Sequence, residues 1–222
     1  MADTAPTDDP VRERLGACYT GVVNDIMRGM GLQNFTLPSD LRPLVPDKVL
    51  CGPVFTIEGR IDETADPHET LVAWTGLLSK AKPGHIWVSQ PHDGTVGHMG
   101  ELSSEALALR GVLGCVIDGG IRDAAFIRRQ GFQTWHRFFT SRDIVGRWLP
   151  TGVDVDIVIG DVTIRPGDYL LGDLDGLVRV PRESVAEIAE KATVAMQTES
   201  KVRTAILAGI DPQAAYLQFG KF

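Results

Sequence analysis

Cysteine is scarce in this chain: 222 residues hold three, Cys18, Cys51 and Cys115, widely separated and with no CxxC pair. Such a set excludes a disulfide framework and a thiolate zinc site, and it reads as three reduced, buried thiols. Positive charge is also short. Lys and Arg number 22 against 29 Asp and Glu, a net charge of −7, which excludes the broad basic face that nucleic acids require. Two or three local arginines can still outvote that balance at one site. No apolar run approaches the length that spans a bilayer. The acidic opening MADTAPTDDP is the opposite of a secretory or transit signal, so a cytoplasmic setting is expected. GxSxG, HExxH and GxxxxGKS/T are all missing, and Gly29-Met30-Gly31 lacks the third glycine of a dinucleotide fingerprint. No repeat, low-complexity segment or linker divides the chain.

What is present alternates. Residues 1–9 read as a short disordered tail and 10–222 as a single domain. Helices are expected at Val11–Ala17 and at Gly21–Gly29, the second with Thr20 as its N-cap. Cys51–Gly59 reads as a strand. Asp66–Lys80 reads as a helix whose apolar stripe is Leu71, Trp74, Leu77 and Leu78. The pattern then predicts a strand over His85–Ser89, a helix over Leu102–Arg110, a strand over Val112–Ile117, a helix over Asp123–Gln130 and a strand over Thr134–Phe139. Short strands at Asp154–Val158, Val162–Ile164, Tyr169–Gly172 and Leu177–Val180 precede a long helix, Arg182–Ala208, and a last helix at Pro212–Leu217. The sum is an α/β domain of layered-sandwich type.

Chemistry concentrates in Gly100–Asp123, GELSSEALALRGVLGCVIDGGIRD. A helix beginning at Gly100-Glu101-Leu102-Ser103 turns its free amides and positive dipole end towards whatever lies beside it. Glu101 is either an acid facing that site or a residue that merely offsets the dipole. The strand after the helix ends in Asp118-Gly119-Gly120, which allows a sharp turn and close approach of backbone to a ligand. Arg122 then offers a planar fork suited to a carboxylate or a 2-oxo acid. Asp123 is a hard donor for Mg²⁺ or Mn²⁺, or else the N-cap of the next helix. One helix and one strand separate Glu101 from Arg122, so the chain returns to the same edge and the three side chains can converge. That collection suits a small anionic substrate such as a 2-oxo diacid. His92, Asp93 and His98 lie in the preceding loop and are candidates to line the same site. Asp118 is expected to hold its own turn, and Asp173-Leu174-Asp175-Gly176 to be a hairpin turn rather than a calcium loop.

The acid at 101, twenty residues, then Arg122-Asp123 resembles the signature of the RraA-like family. KPGHIWVS, RGVLGCVIDGGIRD, GDYLLGDLDGLVRVP and ESKVRTAILAG extend the resemblance over most of the chain. The family includes 4-hydroxy-4-methyl-2-oxoglutarate (HMG) aldolases, oxaloacetate decarboxylases and regulators of ribonuclease E activity. The resemblance implies a swivelling β/β/α-type domain that assembles as a homotrimer or hexamer with sites between subunits. It also implies a divalent metal, Mg²⁺ or Mn²⁺, held by Asp123 directly and by Glu101 through water. Arg122 would bind the 2-oxo acid and stabilise the enolate, and backbone around Gly100, Glu101, Leu102 and Ser103 would hold its pyruvoyl end. Glu199 resembles an acid contributed to the site by a neighbouring subunit. The expected activity is metal-dependent cleavage of a 2-oxo acid to pyruvate, and the alternative is a non-enzymatic regulator acting through protein binding. Departures from the family pattern are Glu101 for Asp, Gln90 for Asp and Gln133 for Pro.

Overall fold

The computed structural model describes residues 9–220. Of the expected tail, residues 1–8 lie outside them. Asp9 belongs to the fold, because its carboxylate caps the first helix at the Arg12 amide (2.9 Å) and accepts the Tyr169 hydroxyl (2.7 Å). Helices α1 (Pro10–Gly16) and α2 (Thr20–Gly29) open the chain. The alternating middle follows: β1 (Arg42–Pro43), β2 (Leu50–Ile61), α3 (Pro67–Lys80), β3 (Ile86–Gln90), α4 (Glu101–Leu109), β4 (Gly114–Ile117), β5 (Gly120–Ile121), α5 (Ala124–Gln130), β6 (Thr134–His136) and β7 (Phe138–Phe139). Then come β8 (Trp148–Val153), β9 (Ile157–Ile159), β10 (Val162–Ile164), β11 (Tyr169–Asp173), β12 (Gly176–Val180), α6 (Val185–Leu207) and α7 (Pro212–Phe219).

The main sheet runs β1-β6-β4-β3-β2-β11-β12, with β8 also pairing β2. Its centre, β2, β3, β4 and β6, is parallel; β1, β8, β11 and β12 pair antiparallel. Parallel strands are covered on both faces, and the side chains divide by strict alternation. Phe55, Ile57, Trp87, Cys115 and Ile117 point to the face packed by Trp74, Leu107 and Ile127 from α3, α4 and α5. Val54, Ile86, Val88 and Val116 point to the other, where Ile157, Ile159, Val162 and Ile164 of the β9–β10 hairpin close the layer. A third cluster packs α1, α2 and α6 against Leu171, Val178 and Val180. The result is a mixed α/β fold of layered type.

Several local expectations shift. Thr20 does not cap α2; it is the helix's first residue, and its amide and hydroxyl are both held by Asp173 at 2.7 Å. The Thr134–Phe139 strand breaks in two at Arg137, whose guanidinium is drawn aside to Asp118 and Asp40. β6 stays in the main sheet while β7 pairs with β5. The Asp154–Val158 strand starts later, at Ile157, because Asp154 adopts a left-handed turn (φ 58°). The expected hairpin turn after Asp173 is present between β11 and β12. Cys18 and Cys115 are buried and Cys51 is half-buried. Burial pushes the Cys18 thiol up, and the Cys51 and Cys115 thiols up to about 12, so all three stay protonated at neutral pH.

Candidate active site

Strands β3 and β4 are parallel neighbours, so the loops after them leave the sheet at the same edge, where ligands of open α/β sheets bind. The loop after β3 is built on Asp93. Its carboxylate accepts hydrogen bonds from the Thr95 hydroxyl (2.6 Å), the Thr95 and Val96 amides (2.9 Å each) and the His98 ring (2.9 Å). Asp93 and His98 form a buried pair behind the site, with His98 edge-on to Trp148, and His92 pairs with Glu58 (3.0 Å). None of the three lines the cavity described below.

Burial alone would raise the Asp93 carboxyl, but the bonds from His98, Thr95 and Val96 outweigh it and hold the group well below the usual carboxylate range. A carboxyl depressed in the folded state stabilises above its unfolded value, about 3.9. That stabilisation is lost as pH falls from there towards the folded value. We therefore expect the urea midpoint to fall more steeply below about pH 4 in the wild type than in Asp93→Asn. Parallel pH profiles would refute this assignment.

The far end of that loop lies against the turn after β4. The Gly97 amide reaches the Arg142 carbonyl (3.0 Å), the His98 amide the Gly120 carbonyl (2.8 Å), and the Arg122 amide the Met99 carbonyl (2.9 Å). This stitching sets Gly100 so close to the Arg122–Asp123 pair that a Cβ there would sit 2.8 Å from Asp123 Oδ2 and 3.3 Å from Arg122 Nε. Helix α4 starts at once. Its first internal bond runs from the Ser104 amide to the Gly100 carbonyl (3.0 Å), so the amides of Glu101, Leu102 and Ser103 precede the ladder.

Asp123 adopts a left-handed conformation (φ 54°), tolerated by Asp better than by most residues, and its side chain does not cap α5. It turns instead to α4, where Oδ2 accepts the Glu101 amide (3.1 Å) and faces Arg122 Nε (3.5 Å). Arg122 Nη1 donates to Asp143 Oδ2 at 2.9 Å.

Gly100, Glu101, Leu102, Ser103, Arg122 and Asp123 all line one cavity of about 560 Å³, together with Asp143. The sequence reading missed Asp143, which stands in a loop with no motif around it. It read Leu71 and Leu78 as part of the α3 apolar stripe, and Leu78 does pack against the core. Trp74 and Leu77 are buried there, but Leu71, Trp74 and Leu78 form a wall of the cavity. Trp74 Nε1 donates to Ser103 Oγ (2.9 Å) and fixes the two walls together. Glu199 lies elsewhere in the chain. It accepts from the Tyr19 hydroxyl, lies 3.5 Å from Arg203, and borders a separate cavity of about 430 Å³ with Asp25, Thr36 and Asp175. The Asp118 carboxylate, expected to bond its own turn, instead accepts its bonds from Arg137 and from Gln90 Nε2 (2.5 Å) on neighbouring elements.

Among the described residues no three His, Cys, Asp or Glu side chains gather into a metal-binding group. Two carboxylates are nevertheless placed for a hard cation that keeps most of its waters. Asp123 Oδ1 and the Glu101 carboxylate take no partner among the described residues, and both residues line the one cavity. The donor set fits Mg²⁺ or Mn²⁺, with Asp123 and Glu101 as the residues that would hold it.

The chain spans 53% of the length of one curated relative it matches and 33% of another. It is 27% identical to a Halalkalibacterium halodurans protein named "Putative 4-hydroxy-4-methyl-2-oxoglutarate aldolase", over 85% of each chain. A solved structure described as that of novel cellulases from microbes associated with the gut ecosystem is 30% identical, with a TM-score of 0.82 over 90% of each chain. Streptomyces coelicolor RraAS2, described as an unusual member of the RNase ES inhibitor RraA protein family, is 25% identical. Its TM-score is 0.79, over 90% of this chain and 98% of that one. The profile of the RraA-like family, aldolase/RraA, matches residues 20–179 and so takes in both loops of the site; the chain belongs to that family.

Proposed function

We propose that this chain is a divalent-metal-dependent lyase that cleaves a 2-oxo acid to pyruvate, by aldol cleavage, decarboxylation or both. The observation that carries the reading is the shared cavity in which the Arg122 guanidinium, the Asp123 carboxylate and the leading amides of α4 face one space. The amides of Leu102 and Ser103, at the positive end of α4, bind the substrate's C1 carboxylate. Breaking the C3–C4 bond places negative charge on the 2-oxo oxygen as the enolate of pyruvate forms. Arg122, held by Asp143, sits where that charge develops and so favours the transition state over the ground state. Asp123 and Glu101 would hold a divalent cation, which when bound would supply Lewis-acid charge to the same end of the substrate. Glu199 of a neighbouring subunit is the proposed acceptor for a C4 hydroxyl proton, and a proton delivered to C3 completes pyruvate.

A homo-oligomer, trimer or hexamer, whose neighbour brings Glu199 to the site is part of the same proposal. Retention of Arg122, Asp123 and the acid at 101 in one cavity favours the enzyme over a purely regulatory relative. Nothing in the site calls for a nucleic acid, and among the described residues no helix is long and apolar enough to cross a membrane. The test is pyruvate release from oxaloacetate and other 2-oxo acids, followed as NADH oxidation by lactate dehydrogenase. We expect turnover with Mg²⁺ and its loss with EDTA; turnover that EDTA leaves intact would remove the metal from the mechanism.

A further inference from the structure

The Arg122 guanidinium has two carboxylates beside it and bonds the one that is distant in sequence. Asp123, the next residue, faces Nε at 3.5 Å, too long for a good hydrogen bond. Asp143, 21 positions on, accepts from Nη1 at 2.9 Å. Only a small movement of the guanidinium would turn the Asp123 contact into a charge-assisted hydrogen bond. What prevents that movement is the bond to Asp143.

Asp143 is itself firmly placed. Its Oδ1 accepts the Val145 amide at 3.2 Å. Its loop, between β7 and β8, is tied down on three sides. The Thr140 amide bonds the Ile121 carbonyl (3.0 Å), the Arg142 carbonyl accepts the Gly97 amide (3.0 Å), and the Gly146 amide donates to the Thr70 hydroxyl on α3 (3.0 Å). Ile144, the next residue, is buried in the core. Both ends of the Arg122–Asp143 pair belong to one chain, so the contact needs neither a neighbouring subunit nor a bound cation. The two side chains are 39% and 40% exposed, and an ion pair so exposed contributes little to folding. Its consequence lies in where it puts the guanidinium.

Resting on the lyase reading, we infer that Asp143 is a positioning residue that keeps Arg122 and Asp123 apart. Held at Nη1, the guanidinium stays aimed at the substrate's developing oxyanion. Asp123, spared a closed pair with Arg122, keeps its carboxylate open to a divalent cation. Without Asp143 the guanidinium settles on Asp123, and that single contact disables both groups.

The test uses the full chain. Asp143→Asn keeps an oxygen for the Val145 amide but removes the charge that anchors Arg122; Asp143→Glu restores a carboxylate on a longer stem. With Mg²⁺ and the 2-oxo acid that the wild type cleaves best, kcat for Asp143→Asn should fall about tenfold or more, and Asp143→Glu should recover part of the loss. Added to Arg122→Ala, Asp143→Asn should change kcat by less than about twofold, because the residue it acts through is gone. Mn²⁺ titration followed by electron paramagnetic resonance, without substrate, reads the other half of the inference. The Mn²⁺ Kd should rise roughly tenfold in Asp143→Asn, yet stay where Arg122→Ala alone puts it in the double variant. Mere loss of a nearby negative charge would weaken Mn²⁺ binding in both backgrounds alike. Wild-type Mn²⁺ affinity in Asp143→Asn, or equal losses in both backgrounds, overturns this inference and leaves the lyase standing. If the wild type binds Mn²⁺ but releases no pyruvate, the lyase reading fails and the Mn²⁺ titrations decide the inference alone. A wild type that binds no Mn²⁺ overturns both.

Discussion

Replacing Arg122 by alanine lowers pyruvate turnover by about a hundredfold or more, the usual consequence of removing one donor aimed at a developing oxyanion, about 2.7–4 kcal/mol of barrier. The loss should fall on kcat, because the guanidinium is placed against charge that appears only as the C3–C4 bond breaks. Folding should be nearly unaffected. Arg122 is 39% exposed, and its backbone amide, which does the stitching to Met99, survives the substitution. Arg122→Lys separates charge from shape. It restores a cation but not the fork that Asp143 holds at 2.9 Å, so recovery should be partial. Near-normal turnover of a folded, Mg²⁺-supplied Arg122→Ala protein would defeat the proposed mechanism.

The second large effect is on stability. Trp148 is 0% exposed. Its indole N–H donates to the Pro91 carbonyl at 3.0 Å, and its ring meets Trp74 (5.9 Å) and His98 (5.2 Å) edge to face. Across β2 it fills the space that Gly59 leaves open, where any Cβ would collide with the indole. Trp148→Ala should cost about 3–5 kcal/mol, the range for emptying a large aromatic from a core. In a chain of this length that is a melting point lower by roughly 6–20 °C. The loop that starts at Pro91 loses its anchor with it, so activity measured well below the new melting point should fall too. A melting point within a degree or two of wild type would show that the indole is not the pin that its contacts describe. Thermal unfolding followed by circular dichroism, beside an activity series, separates the two outcomes.

Legibility in the sequence followed the range of the interactions involved. Strands and helices set by local alternation, such as Leu50–Ile61, Ile86–Gln90 and Pro67–Lys80, could be read to within a few residues. So could the convergence of Gly100–Ser103 with Arg122 and Asp123, because one helix and one strand return the chain to the same edge. β8 was missed because WLPTGV carries Pro150 and no clean alternation; its place is set by pairing with β2. The cap of α2 was misplaced because the carboxylate that supplies it stands 153 positions away. Asp143 had no local sign at all: an acid in a loop acquires meaning only once the fold sets it beside Arg122. Leu71 and Leu78 carry the spacing of a buried stripe; Leu78 does pack against the core, but both residues also line the cavity, which the spacing did not show.

The grip of Asp173 on Thr20 also bears on the sequence of events during synthesis. A ribosome delivers α1 and α2 before the rest of this fold, but their apolar residues Leu15, Val22, Val23 and Met27 share a cluster with residues of β11, β12 and α6. Closing so long a loop is slow. The opening helices should therefore be the last part to lock, with those four side chains exposed to chaperones until the final third of the chain has emerged.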